Sequence, residues 1–174
     1  MLTTATIMLL LDQITKAWVR NRLPLHESWT PLPTLARYFS FTHTTNTGAA
    51  FGLFPDQGIL FVVIAIVVSV AIVVYMRYLP AERPVVSISL GLQLGGALGN
   101  LIDRVRLGRV TDFIDFKVWP VFNLADSAIV VGVAILALIL LLEKEQPETQ
   151  GDDTEPPSFP PQVSHSDGGT AQGR

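Results

Sequence analysis

The sequence predicts an all-α membrane protein in which four transmembrane helices form one compact domain over residues 1–142, followed by a disordered acidic, proline-rich tail over residues 143–174. Of the 174 residues, 49% are hydrophobic and only 16% charged, with a mean hydropathy of +0.42; a soluble domain carries about 25% charged residues. The apolar residues gather in runs of roughly 18 or more, the length that crosses a bilayer as a helix. The chain has no cysteine, which excludes a disulfide framework, a cysteine nucleophile and thiolate metal ligands. The formal charge of −3 says little, because the acidic residues concentrate in the tail.

The first segment, Met1 to about Val19, lacks a positively charged leader and a small-residue cleavage site, so it reads as a retained helix. Asp12 and Lys16 lie four apart with the acid N-terminal, so they share a helix face and can pair. On a membrane helix such a pair faces protein or water, unless it merely ends the helix at the interface. Residues Asn21 to Asp56 then form a polar connection with four prolines, Pro24, Pro31, Pro33 and Pro55. Within it, Tyr38 to Thr45 alternates apolar or aromatic with polar side chains, the period of short strands, here lying on the membrane surface. Such a strand could take an extended peptide by strand addition, or be an ordinary hairpin over the bundle. Asn46, Gly48 and Gly52 supply turn chemistry and allow close approach of backbone to a ligand.

The second segment, Gly58 to Met76, runs nineteen residues without a charge and is lipid-facing scaffold. The third, Val85 to about Ile102, carries Gly91, Gly95 and Gly99 at four-residue spacing, plus Gly96, and small residues so spaced let helix backbones meet. The fourth runs from about Val121 to Leu142, with Asn123 and Asp126 three apart near its start. The tail from Glu143 has five prolines and seven acidic residues, a composition that buries too little apolar surface to fold.

Chemistry concentrates between Gly95 and Ser127, in GGALGNLIDRVRLGRVTDFIDFKVWPVFNLADS. This stretch places Asp103, Asp112, Asp115 and Asp126, with Asn100 and Asn123, at the margins of two apolar runs. Carboxylates there are costly unless paired and mark function by default. Two held close together share one proton, since like charges about 3 Å apart cannot both ionise, and an acid plus a base flanking a water can hydrolyse an amide. The competing reading is a polar loop with helix caps, which also favour Asp and Asn. Asp103, beside Arg104 and three after Asn100, reads as an ion-paired residue that orients the site. Asp115 lies one turn beyond Asp112 if the stretch is helical, and on the opposite face if it is extended. No H-E-x-x-H, G-x-S-x-G or phosphate-binding glycine loop is present, and His26, His43 and His165 lack metal spacing. Paired carboxylates remain the only catalytic set, with no metal or cofactor expected.

These blocks, in order, are DQITK (Asp12 to Lys16), NTGAAFG (Asn46 to Gly52), GGALGNLIDR (Gly95 to Arg104), VTDFIDF (Val110 to Phe116) and FNLADS (Phe122 to Ser127). Together they resemble the lipoprotein signal peptidase, or signal peptidase II, family of bacterial membrane aspartyl peptidases. The resemblance covers about residues 8 to 142. It implies four transmembrane helices with a small extracytoplasmic β-cradle and a short surface helix, in the bacterial cytoplasmic (inner) membrane with both termini cytoplasmic. It implies removal of the signal peptide from diacylglyceryl-modified prolipoproteins, just before the lipidated cysteine, with membrane lipid as the other partner and neither nucleic acid nor metal involved. By the same resemblance Asp112 and Asp126 are the catalytic dyad and Asn100 and Asn123 its polar neighbours. Asn46, Gly48, Asp103, Arg104, Asp12 and Lys16 stand as substrate-binding or supporting residues.

Two features depart from the family pattern. Only thirteen residues separate Asp112 from Asp126, a short interval that bears on loop shape, and the acidic tail lies outside the pattern. The basic residues also run against the implied orientation. Eight (Lys16, Arg20, Arg22, Arg37, Arg104, Arg106, Arg109 and Lys117) flank the expected outer side, against Arg77, Arg83 and Lys144 on the other, so the positive-inside rule alone would put the termini outside. A second class of function stays open at this point, an ion-conducting or transport subunit whose carboxylates line a pore. A third is a scaffold whose polar blocks serve only assembly.

Overall fold

The helix Pro84–Leu107 (α3) is the hub of the computed structural model, which describes residues 1–48, 57–78 and 83–144. It packs against each of the other three helices, α1 (Leu2–Arg22), α2 (Gly58–Met76) and α4 (Leu124–Lys144). α2, α3 and α4 are each long and apolar enough to cross a membrane. α1 is equally long but carries Asp12, Lys16, Arg20 and Arg22. The third segment runs further than its expected end near Ile102, through Asp103 and Arg104 to Leu107. It ends at Gly108, whose φ of 72° is the left-handed cap and whose N–H donates to Arg104 O at 3.0 Å.

The glycines of α3 set its distance from two neighbours. A Cβ at Gly91 would lie 2.7 Å from Thr4 Cβ, one at Gly95 2.6 Å from Ala5 O, and one at Gly99 would strike the Asp12 carboxylate. On the adjacent face a Cβ at Gly96 would collide with Ala125 O of α4. Gly132 of α4 approaches Ser89 O in the same way. Close backbone approach therefore binds α1 and α4 to α3 along the length of their contact. Beside Gly91 and Gly95, an apolar cluster of Ala5, Ile72, Val86, Leu90 and Leu94 closes the packing. α2 buries only Ser69 and Ile72, as expected of a helix whose remaining surface faces lipid.

The polar connections build a three-stranded antiparallel sheet in the order β1-β2-β3, from Ser28–Trp29 (β1), Ser40–Asn46 (β2) and Val110–Asp115 (β3). Thr44 stands opposite Asp112 and Ser40 opposite Asp115, with a bulge between Phe41 and Thr44. The alternating stretch is thus the central strand, paired on both sides, rather than a free strand awaiting a peptide. Trp18 of α1, Trp29, Phe39, Phe41, Phe113, Phe116 and Phe122 form a continuous run of ring contacts that ties the sheet to the bundle. The short surface helix is represented among the described residues only by a 3-10 turn at Pro33–Leu35. Gly52, Pro55 and the tail beyond Lys144 lie outside the described residues.

Candidate active site

Asp112 is buried on β3 while Asp126 sits half-buried in the first turn of α4, and one residue touches both. Asn123 Nδ2 donates to Asp112 Oδ1 at 2.7 Å, and Asn123 N–H donates to Asp126 Oδ2 at 3.2 Å. Asn123 also precedes the first residue of α4, and its Oδ1 accepts from Asp126 N–H at 3.0 Å. This reciprocal exchange is a capping box with Asn and Asp in its two places. The helix-cap reading of these residues is therefore realised, by atoms that also bring Asp112 and Asp126 to one side chain.

A second amide completes the circuit. Asn100 of α3 donates through Nδ2 to Asp126 Oδ1 at 2.7 Å, while its Oδ1 accepts from Asn123 Nδ2 at 3.1 Å and from Lys16 Nζ at 2.8 Å. Lys16, fully buried, meets Asp12 Oδ2 at 2.9 Å and Asp103 Oδ2 at 3.7 Å. The other Asp12 oxygen accepts from Ala125 N–H at 3.0 Å, taking another donor of the α4 first turn. Asp103 turns away from Arg104 towards α1 and the sheet, accepting from Thr111 N–H at 3.0 Å, with Arg20 at 3.7 Å. An unpartnered buried polar group costs about 1–3 kcal/mol, so this end of the bundle is held by mutual satisfaction of polar groups rather than by apolar packing.

Asp112 and Asp126 face a cavity of about 610 Å³. Its polar wall is Asn46, Gly48, Asn100, Arg104, Asp112 and Asp126; its apolar wall runs from Trp119 to Phe122 and along Ile129, Val130 and Val131 of α4. Asn46 accepts from Gly48 N–H at 2.8 Å, which leaves its amide N–H groups for Asp112, to which it also bonds. Arg104 reaches Gly48 O at 3.4 Å, lies 5.2 Å from the Phe61 ring centroid, and is electrostatically coupled to both aspartates. Burial pushes the Asp112 carboxyl up to about 7, and the neighbouring Asp126 adds to the effect; the Asn123 bond, the charge of Lys16 and the Asn46 bond only partly offset it. A carboxylic acid that keeps its proton near neutrality, beside a second carboxyl, can supply both halves of acid–base hydrolysis.

All ten residues singled out from the sequence thus belong to one connected region. Asp115 does not. β3 is extended, so Asp115 projects from the opposite face and bonds Thr42 at 2.7 Å and Lys117 Nζ at 2.6 Å. Its own burial opposes ionisation, but the Lys117 and Thr42 hydrogen bonds outweigh this and hold it below the usual carboxylate range. Among the described residues no group of three His, Cys, Asp or Glu could hold a metal ion.

Over residues 4–142 the sequence matches the family model for signal peptidase (SPase) II. The chain belongs to the signal peptidase II family. It is similar to the lipoprotein signal peptidases of Moorella thermoacetica (49% identity, covering 79% of this chain and 90% of the relative), Halothermothrix orenii (46%, 77% and 90%) and Pseudomonas fluorescens (42%, 87% and 92%). Its fold is that of a bacterial membrane enzyme solved by the in meso method at 2.3 Å resolution, with TM-score 0.76 and 28% identity over 85% of this chain and 91% of that one. A second such enzyme, at 1.9 Å, gives TM-score 0.69 and 30% identity over 80% and 90%. As a signal peptidase II, the protein is a multi-pass bacterial membrane peptidase.

Reading the sequence did not single out Gln13, Arg20 or Thr111. Gln13 Nε2 reaches Gly99 O at 3.1 Å and Asp103 Oδ1 at 3.3 Å, and Arg20 bonds Thr111 Oγ1 at 2.9 Å. The available signal was helical spacing, since Arg20 lies four residues after Lys16 on the face of Asp12.

Proposed function

We propose that Asp112 and Asp126 are the dyad with which this signal peptidase II removes the signal peptide from diacylglyceryl-modified prolipoproteins, cutting just before the lipidated cysteine. The observation that carries this is the single residue, Asn123, hydrogen-bonded to both carboxyl groups at the wall of one cavity. One aspartate, ionised, takes a proton from water as its oxygen bonds the scissile carbonyl carbon; the other gives its proton to the carbonyl oxygen. On collapse the C–N bond breaks, the first aspartate passes its proton to the departing nitrogen, and the second recovers one from the hydroxyl. Asn46, Gly48 and Arg104 would bind the peptide main chain. The apolar wall of α4 would take the lipid chains, each buried methylene contributing about 0.8 kcal/mol.

The reading includes four spans, both termini cytoplasmic, an extracytoplasmic site, and a dispensable tail after residue 142. α1 supports it: 21 residues at 1.5 Å each give about 32 Å, the thickness of a bilayer core, and Asp12 and Lys16 turn inward. The contrary count of basic residues is weakened because Lys16, Arg20, Arg104 and Lys117 are engaged within the fold. The test is purified protein in detergent with a diacylglyceryl-modified prolipoprotein, read as a gel-mobility shift. Cleavage should persist in EDTA. Absence of cleavage, or its loss on chelation with the fold intact, would overturn the proposal.

A further inference from the structure

Lys16 reaches neither aspartate, yet it governs the direction of a hydrogen bond to one of them. An amide can be placed either way round, and what decides is whether its neighbours are donors or acceptors. An ammonium is donor-only. Lys16 Nζ, 2.8 Å from Asn100, therefore makes that atom the oxygen and turns Nδ2 towards Asp126, 2.7 Å away. The same oxygen takes Asn123 Nδ2 at 3.1 Å, so the two amides agree and each offers an N–H to one aspartate. Asn123 is independently fixed, because its oxygen takes the backbone N–H of Asp126. Among the described residues Asn100 has no such backbone anchor; its oxygen is held jointly by Lys16 Nζ and Asn123 Nδ2, and Lys16 supplies the shorter, charge-assisted bond.

We infer that Lys16 is a positioning residue that acts through Asn100 to hold the aspartate pair in its working protonation state, and does more than fill the bundle interior. This rests on the dyad reading above. Among the described residues the charged groups facing the pair are Lys16 and Asp12 on α1, and Asp103 and Arg104 on α3, while β2 contributes the Asn46 amide. Lys16 is the fully buried cation among them, and its charge opposes the upward push on Asp112. Removing it withdraws both the charge and the constraint on Asn100, so Asp112 holds its proton more tightly.

The test is the pH profile of kcat/KM. Lys16→Met alone would leave Asp12 a buried, unpaired carboxylate, which is strongly destabilising. The variant to use is Asp12→Asn with Lys16→Met, where the Asn oxygen can still accept from Ala125 N–H. Its kcat/KM at the parent's optimum should fall about 10- to 100-fold; the variant removes one charge of each sign, but of the two only Lys16 acts on Asp112, so both limbs of the profile should be displaced to higher pH. Asn100→Ala should displace the limbs in the same sense, and adding it to the double variant should displace them little further. Reduced activity with unmoved limbs, in either the double variant or Asn100→Ala, would overturn the inference and leave Lys16 a structural residue. If the parent cleaves and Asp112→Asn does not, the dyad reading survives that failure intact.

Discussion

Asn123 and Asp126 bind each other twice, side chain to backbone in both directions, at 3.0 and 3.2 Å. The helix start and the carboxyl proposed to react are thereby one structure: Asp126 is aimed by the same bonds that satisfy the first turn of α4. Fraying of that turn would cost catalysis before it cost the fold.

Replacement of either dyad member by Asn preserves size and hydrogen bonding while removing titration. Asp112→Asn and Asp126→Asn should each lose about 10²-fold or more in kcat with unchanged membrane insertion. Steady-state cleavage of a lipid-modified precursor measures this, and full activity in either variant would remove the dyad assignment.

Stability should carry the signature of Asp112. A carboxyl whose folded-state pKa is raised to about 7 costs the folded state nothing below about pH 4, where it is protonated folded or unfolded. The cost grows through pH 4–7 and is complete above that. Asp112→Asn should therefore gain stability over the parent as pH rises from 4.5 to 8, by on the order of 2–4 kcal/mol. Thermal melts in detergent at both pH values decide it; a gap that narrows with pH contradicts the assigned shift.

Asp103 and Asp115 should part company. Asp103→Asn weakens contacts to Thr111, Lys16 and Arg20 beneath the site, and about a 10-fold loss in kcat is expected together with a lower Tm. Asp115→Asn touches only the far face of the sheet, so kcat should stay within about 3-fold. The ionised Asp115, held below the usual range, contributes stability above its unfolded pKa that is lost as pH falls through the lower folded value. The Tm difference between parent and Asp115→Asn should accordingly vanish in acid. Equal kcat losses at the two positions would count against the separation of the faces.

Glycines along α3 should differ by what they face. Gly91→Ala meets Thr4 and Met1 at the end of the bundle away from the site, so it should lower Tm by the cost of overpacking, about 1–3 kcal/mol, with little change in kcat. Gly99→Ala meets the Asp12 carboxylate and should lower both. Melting and turnover measured on both variants would show an unaffected kcat in Gly99→Ala if Asp12 were irrelevant to the site.

A chain ending at Gln146 should insert and cleave within about 2-fold of the full chain, because the acidic tail has no apolar periodicity with which to pack. Specific activity after purification checks this, and a large drop would give the tail a role.

Four helical segments were legible from apolar runs, and the Gly58–Met76 span was read to the residue because nothing charged blurs its ends. α3 was read short, to about Ile102, because its last turn is charged: Asp103 looks like a loop residue until β3 and α1 supply its partners. β3 itself was left open between helix and strand. Its residues, VTDFID, carry no alternation, since Val110 to Phe113 are all buried, and only pairing with β2 decides that Asp112 and Asp115 point apart. The candidate residues that the structure brings together were named through the family resemblance. What local sequence could not convey was how they connect, because Lys16 and Asn100 are 84 positions apart and meet only when α1 and α3 have packed.

That distance bears on how the protein is made. On the four-span reading, α1 standing alone is a poor occupant of lipid: Asp12 and Lys16 each cost about 2.5–3.5 kcal/mol at a helix centre by insertion scales, and Asn100, Asp103 and the Ala125 N–H that accommodate them come much later in the chain. The first helix thus reaches its resting place only after the last has been synthesised. Amino acid changes at Asn100 or Asp103 would then reduce how much enzyme accumulates in the membrane as well as how fast each copy works. The buried pair ties the biogenesis of the peptidase to the completeness of its active site.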